Sequence, residues 1–339
     1  MTANAKIAEE GLNMQMGLQP SKGTLRDAFG YKPWSYWNTT EHWWLNRRYA
    51  WLGLGIKSEV GRGDNLTYSI PDTLSDGSKA KKIESNTSIF DPVICELCYT
   101  WWGGAPGGDV SLYGPQTRHP VIVDPFAGGS VRGIVAAVLG CRYWGCDLSG
   151  PQVEANREQA AAVSRWTKSS IFKYKPKWVE GDSLVKLAEA PKADFIFSCP
   201  PYGDLEVYSK MSADISNMHY DKFIDVYGAI INKAMERLKP NRFAVICVAN
   251  FRDKRKGRLR DFVGDTIRTF QAINNVQFYN EVVYLNSPGS GPMRTNNIFI
   301  RGNRKVVKLH QQVLVFVKGD PAKAAAWMPQ YKIDGQQEE

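Results

Sequence analysis

Pro120-Val-Ile-Val-Asp-Pro-Phe-Ala-Gly-Gly-Ser130 runs from an apolar segment into an acid, a proline and a glycine pair. Pro120 to Val123 has the length and bulk of a short buried strand. Asp124 closes it, and Pro125, Phe126 and Ala127 turn the chain. Gly128 and Gly129 then let the backbone approach a bound ligand closely before a helix begins near Ser130. Strand, glycine turn and helix in that order suit an adenosine-bearing cofactor. A second apolar run, Ala193 to Phe197, ends in Ser198-Cys-Pro-Pro-Tyr202. Pro200 and Pro201 cannot continue a hydrogen-bonded ladder, so they leave backbone carbonyls free beside the ring of Tyr202. Such carbonyls accept hydrogen bonds from an exocyclic amino group.

Outward from these two segments the pattern alternates. Strands are expected near 120–126, 142–148, 177–182, 193–199, 242–250, 278–285 and 311–318, preceded by a helix over 86–102. Helical spacing fills 131–139, 151–164, 183–190 and 220–238 between the first five strands. That alternation implies right-handed crossovers and an α/β, Rossmann-like, doubly wound sheet of seven strands. In such a sheet ligands lie beyond the carboxyl ends of the strands near the switch point. The chain divides into an aromatic-rich N-terminal extension and linker (1–84), a main domain (85–320) and a C-terminal tail (321–339).

The two motifs resemble those of S-adenosylmethionine-dependent DNA amino-methyltransferases, whose cofactor motif reads Asp-Pro-Phe-x-Gly-x-Gly and whose catalytic motif ends in Pro-Pro-Tyr. The similarity is greatest to phage-type and prophage-type DNA modification methylases, which carry a Ser/Thr-Cys-Pro-Pro-Tyr version and a late segment matched here by His310 to Gly319. The resemblance covers most of residues 85–320 and implies that the last strand inserts antiparallel. It further implies that Asp124 and the Gly128-Gly129-Ser130 turn hold the amino acid part of S-adenosylmethionine. Asp147, in Asp147-Leu148 at the end of the second strand, takes the ribose hydroxyls, or else caps the helix that follows. Asp182 takes the adenine amino group, or likewise caps a helix, and Thr87 and Ser88 either meet the methionine end or cap the helix after them.

The implied reaction is methyl transfer to the N4 amine of cytosine or the N6 amine of adenine. That amine is a poor nucleophile because its lone pair is delocalised into the ring, and two acceptors on its hydrogens would release the pair for in-line attack. By the resemblance, the acceptors are the first side chain of the motif and the Pro200 carbonyl, with Tyr202 stacked on a base that has left the duplex. This chain departs from the usual pattern, because Cys199 stands where Asp, Asn or Ser is usual and a thiol is a weak acceptor. Ser198 is an alternative source of oxygen, although strand alternation points neighbours to opposite faces. Cys is nearly isosteric with Ser, and the Ser form is typical of cytosine-N4 enzymes, which favours cytosine. Attack by the thiol on cytosine C6 would call for a Pro-Cys-Gln loop, which is absent. Asp204 and Glu206 fall in a stretch expected to wall the extruded base.

Composition is compatible with this reading. The formal charge of +9 and pI near 9.1 favour a polyanionic partner, here DNA. Arg294, Arg301, Arg304, Lys305 and Lys308 cluster in the 286–309 segment, which has the flexibility and cations to meet phosphates. A second basic run covers 252–260. Arg47 and Arg48 lie among eight aromatic residues between Tyr31 and Trp51. That segment is read as a helix buried on the main domain or on a second subunit, leaving a homodimer open, with base stacking as the other account. Residues 1–30 are expected to be a partly flexible start, and 61–84 a mobile loop. Six cysteines in 339 residues fit reduced, buried thiols, and Cys95 and Cys98 lack the second ligand pair that zinc requires, so no metal is expected. Without a signal pattern or an apolar run of about 18 residues, a cytoplasmic location off the membrane is expected. The rival readings are an RNA amino-methyltransferase, a protein glutamine methyltransferase, which the basic loops disfavour, and a nucleic-acid-binding homologue that has lost turnover through Cys199.

Overall fold

A computed structural model describes residues 31–57, 90–105, 118–166, 171–203, 211, 213–253, 257–286, 295 and 297–329. Its centre is a mixed sheet whose middle strands are buried on both faces, which is why they read as continuous apolar runs. In chain order the main strands are β1 (Tyr36–Asn38), β2 (Val121–Asp124), β3 (Arg142–Asp147), β4 (Lys177–Glu180), β5 (Phe195–Ser198) and β6 (Arg242–Val248). A small hairpin, β7 (Phe251–Arg252) and β8 (Leu259–Arg260), stands apart, and β9 (Val276–Leu285) and β10 (His310–Lys318) complete the sheet. The spatial order is β1-β9-β10-β6-β5-β2-β3-β4. Strands β2 to β6 are parallel, and β10 inserts antiparallel between β6 and β9. The sheet is thus Rossmann-like and doubly wound, and the chain order reverses between β2 and β5.

The sheet has eight strands where the sequence spacing gives seven. The added strand is β1, three residues of the aromatic segment that pair in parallel with the β9 edge from Tyr36–Val283 to Asn38–Leu285. Alternation then sorts the strand residues between two cores. Phe195, Phe197, Val245, Cys247, Val313 and Val315 face one core. Val123, Ile196, Ala244, Ile246, Leu314 and Phe316 face the other. Helices α1 (His42–Gly53), α2 (Pro92–Trp101), α3 (Val131–Val138) and α4 (Gly150–Trp166) cover the first face, with α8 (Pro321–Trp327) at its rim. Helices α5 (Ser183–Lys186), α6 (Tyr220–Arg237) and α7 (Phe262–Gln271) cover the second.

The aromatic segment is part of the first core. Trp37, Trp44 and Trp51 are fully buried there against α2 and β9. Arg47 does not reach phosphate, because its Nε and Nη2 donate to the Glu96 carboxylate of α2 at 2.6–3.0 Å and Trp51 Nε1 adds a bond of 2.7 Å to the same group. Trp44 Nε1 donates to Asp91 Oδ2 at 2.9 Å, and Arg48 stands 3.9 Å from that carboxylate. Asp91 also caps α2 by accepting from the Val93 N–H at 2.9 Å. Two buried acids of one helix therefore fasten α1 to it. Cys95 and Cys98 lie within α2, as helical spacing implies, and burial raises both thiols well above their ordinary range. No helix among the described residues is long and apolar enough to cross a membrane.

Candidate active site

The carboxyl ends of β2, β3, β4 and β5 meet at the switch point and are tied together by short bonds. Gly128 adopts φ +50, the left-handed region that glycine enters without steric cost, and so aims its N–H at Asp147 Oδ2 at 2.8 Å. The Ala127 N–H donates to the Cys146 carbonyl, and the Gly181 N–H to the Asp147 carbonyl, each at 2.9 Å. Ser183 Oγ donates to the Pro125 carbonyl at 2.6 Å, and Asn156 Nδ2 to the Gly128 carbonyl at 2.7 Å. The glycine turn is thereby fixed from β3, α4 and α5 at once.

Three features of this corner fit the cofactor that the motif implies. Ser130 Oγ, at the N-terminus of α3, is buried and without a hydrogen-bond partner. Asp147 accepts from two N–H groups, Gly128 and Ser149, and still has lone pairs for two hydroxyls. Burial pushes its carboxyl up to about 6, and those two N–H bonds only partly offset it, so further donors would be accommodated. Leu148 follows, half-buried. Asp182 caps α5 by accepting from the Leu184 N–H at 2.8 Å through one oxygen, so the capping account of that residue describes what is seen.

Asp124 closes β2 at the start of the loop. Its side chain is wholly buried and accepts four bonds: Arg132 Nε at 2.6 Å and Tyr143 Oη at 2.8 Å on Oδ2, Ser198 Oγ at 2.5 Å and the Phe126 N–H at 3.1 Å on Oδ1. What it does is brace the loop, because Arg132 also donates to the Phe126 and Ala127 carbonyls. Neither Arg132 nor Tyr143 was singled out by motif. The available signal was that Arg132 is the one charged residue in the apolar stretch 131–138, and a buried guanidinium requires a partner.

Ser198 belongs to the same network. Its hydroxyl donates to Asp124 and accepts from the Phe126 N–H at 3.2 Å, entirely buried, so it locks β5 to the loop after β2. Cys199, the next residue, is half-buried on the opposite side of the strand, with Sγ 3.9 Å from the Tyr202 hydroxyl. Pro200 is buried and Pro201 half-buried. Tyr202 donates to Gln311 Oε1 of β10 at 3.1 Å, and its ring leans on Phe251 and Phe262 at centroid distances of 6.4 and 6.2 Å. At Gly203, φ is +49 and a Cβ would come within 2.8 Å of the Phe251 ring, so the chain leaves the motif pressed against the β7–β8 hairpin.

The two basic segments meet. A Cβ built on Gly257, in the hairpin, would lie 2.6 Å from Lys305 Nζ, so the 297–309 segment folds onto the hairpin that supports Tyr202. Arg301, Arg304 and Lys308 are exposed and Lys305 is half-buried. Thr87, Ser88, Arg294, the 61–84 loop, Asp204, Glu206 and residues 254–256 lie outside the described residues.

No protein-family model matches the sequence. No curated protein sequence matches it either. Solved structures similar to parts of the chain include TrmN from Thermus thermophilus, at 15% identity over 67% of this chain and 48% of that one, TM-score 0.42. Magnesium protoporphyrin IX methyltransferase from Synechocystis PCC 6803 with bound SAH is similar at 11% identity over 59% of this chain and 74% of that one, TM-score 0.37. A candidate DNA modification methylase, also from Thermus thermophilus, is similar at 18% identity over 41% of this chain and 52% of that one, TM-score 0.30. The chain thus spans about half the length of TrmN, 48%.

Proposed function

We propose that the protein is an S-adenosylmethionine-dependent methyltransferase acting on the exocyclic amine of a DNA base, cytosine N4 in preference to adenine N6. The observation that carries the reading is the 2.5 Å bond from Ser198 to Asp124, which ties the strand end that opens the Cys199-Pro-Pro-Tyr202 turn to the strand end that opens the glycine turn. Cofactor corner and amine-gripping carbonyls are held as one unit, as direct group transfer between them requires. When bound, the cofactor supplies an electrophilic sulfonium methyl group. The Gly128–Ser130 turn and the α3 N-terminus take its amino acid end, and Thr87 and Ser88 are proposed as further contacts to the methionine part. Asp147 accepts the ribose hydroxyls, and Asp182 the adenine amine through the oxygen its cap leaves over.

At the reacting end the Pro200 carbonyl and the Cys199 side chain accept from the target amine, and Tyr202 stacks on the base. The convergence of the 297–309 segment with the hairpin supports a polyanionic substrate, with Arg301, Arg304, Lys305 and Lys308 as phosphate contacts; Arg294 is proposed as a further one. The thiol at position 199 favours one second reading, a homologue that binds nucleic acid and cofactor without turnover. Unmethylated DNA incubated with S-adenosylmethionine, digested to nucleosides and analysed by mass spectrometry decides between them. N4-methylcytosine is expected. N6-methyladenine reverses the base, and cofactor binding without product refutes turnover on DNA, leaving RNA or the silent homologue.

A further inference from the structure

Gln311 lies on β10, outside both motif turns, yet its side chain meets the second one. Its backbone is set by the sheet: Gln311 pairs with Tyr284 of β9, and its neighbour Gln312 with Val248 of β6. Alternation puts Gln311 on the face of Val313 and Val315, which belong to the core against which Cys199 also packs. There its Oε1 accepts from the Tyr202 hydroxyl at 3.1 Å. Cys199 Sγ lies 3.9 Å from the same hydroxyl, a contact in which either group could be the donor. Gln311 decides that choice. An amide oxygen only accepts, so the one hydrogen of the phenol points to Gln311 and the phenol oxygen is left to accept from the thiol. Phe251 and Phe262 hold the ring itself, at centroid distances of 6.4 and 6.2 Å.

We propose that Gln311 is a positioning residue of the methyl-transfer site: it fixes the Tyr202 ring and directs the Cys199 S–H towards the Tyr202 oxygen, so that sulfur meets the target amine as an acceptor. This role rests on the proposed methylation of a DNA amine. A thiol accepts weakly, and more weakly still when its own hydrogen, or that of a neighbouring hydroxyl, occupies the side that faces the amine. Without the Gln311 oxygen the phenol hydrogen turns to the sulfur and competes with the amine for it. Gln311 therefore acts through Tyr202. Because β10 is paired on both sides, the amide is presented from a strand whose position is fixed before substrate arrives.

The test measures kcat and KM for unmethylated plasmid DNA, read as methylated nucleoside at saturating S-adenosylmethionine. The proteins compared are wild type, Gln311→Met, Gln311→Glu, Tyr202→Phe and the Gln311→Met, Tyr202→Phe pair. Gln311→Met keeps the side chain's length and removes the acceptor. It should lower kcat about three- to tenfold, with KM for DNA and calorimetric cofactor affinity unchanged. Gln311→Glu still accepts from the phenol and should keep kcat, while its charge raises KM for DNA. Added to Tyr202→Phe, which keeps the ring and removes the hydroxyl, Gln311→Met should cause no further loss. An unchanged kcat in Gln311→Met, or the same loss with and without Tyr202→Phe, overturns the positioning role while the methyltransferase reading stands. Gln311→Glu as slow as Gln311→Met overturns it too. Wild type that yields no methylated nucleoside overturns that reading, and the role of Gln311 with it.

Discussion

Replacing Asp124 by Asn separates two roles that its motif position confounds. The side chain keeps its shape but loses its charge and half of its accepting capacity. In the native protein Oδ2 accepts from Arg132 and Tyr143, and Oδ1 from Ser198 and Phe126. An amide must turn its NH2 towards one of those donor pairs. It therefore loses at least the Phe126 or the Arg132 bond, and leaves a guanidinium that is 5% exposed without a counter-charge. Breaking one side of a buried pair costs about 3–5 kcal/mol, a large share of the roughly 5–15 kcal/mol that holds a domain folded. The assay is urea unfolding of wild type and Asp124→Asn without cofactor, followed by calorimetry of cofactor binding at a temperature where the variant is folded. The expected result is a loss of about 3–5 kcal/mol in stability. If stability falls by less than about 1 kcal/mol while cofactor binding disappears, the carboxylate is a ligand contact and the bracing role is refuted.

At Asp147 the pKa shift sets the sign of a pH effect. The folded carboxyl titrates at about 6 instead of 3.8, so the native state is penalised above that pH and relieved on acidification. Ribose hydroxyls bind the ionised form, so cofactor affinity should fall up to about tenfold per pH unit below about 6, with proton release on binding. Flat affinity from pH 5 to 7.5 in calorimetry would exclude that contact. Tyr202→Ala should keep cofactor affinity and abolish turnover, and equal loss of both would falsify the division between the two turns. Cys199→Ser should retain or raise activity, since it restores an oxygen acceptor; an inactive, folded serine variant would point to a thiol-specific role. Glu96→Gln, which strands Arg47 in the core, should lower stability by about 3–5 kcal/mol in chemical unfolding, and an unshifted midpoint would mean that α1 does not depend on this pair.

The central sheet was legible because its strands and helices carry their own periodicity and the two motifs fall at strand ends. The sequence did not disclose β1, because three residues have no pattern and become a strand only when the β9 edge offers them partners. Helix α1 was expected in the aromatic segment, but its fastening was not legible: its buried positions include Arg47, whose neutralising acid, Glu96, lies 49 residues away. Gln311 lies in the late segment His310 to Gly319, yet its bond to Tyr202 depends on β10 inserting beside β6, a tertiary event that local spacing does not encode.

Motif residues also divide by which face of the strand they occupy. Asp124, Ser198, Arg132 and Tyr143 form one buried network that spans β2, β5, α3 and β3. The Ser198 oxygen is buried in that network, donating to Asp124 and accepting from the Phe126 N–H. In the proposed reaction the Pro200 carbonyl and residue 199 are the acceptors at the amine, and a thiol supplies less than an oxygen. Keeping the scaffold bond at 198 while varying the chemistry at 199 is physically coherent, because the first sets where the turn lies and the second how strongly it grips. Alternation of neighbouring side chains is what allows the two demands to be met by adjacent residues.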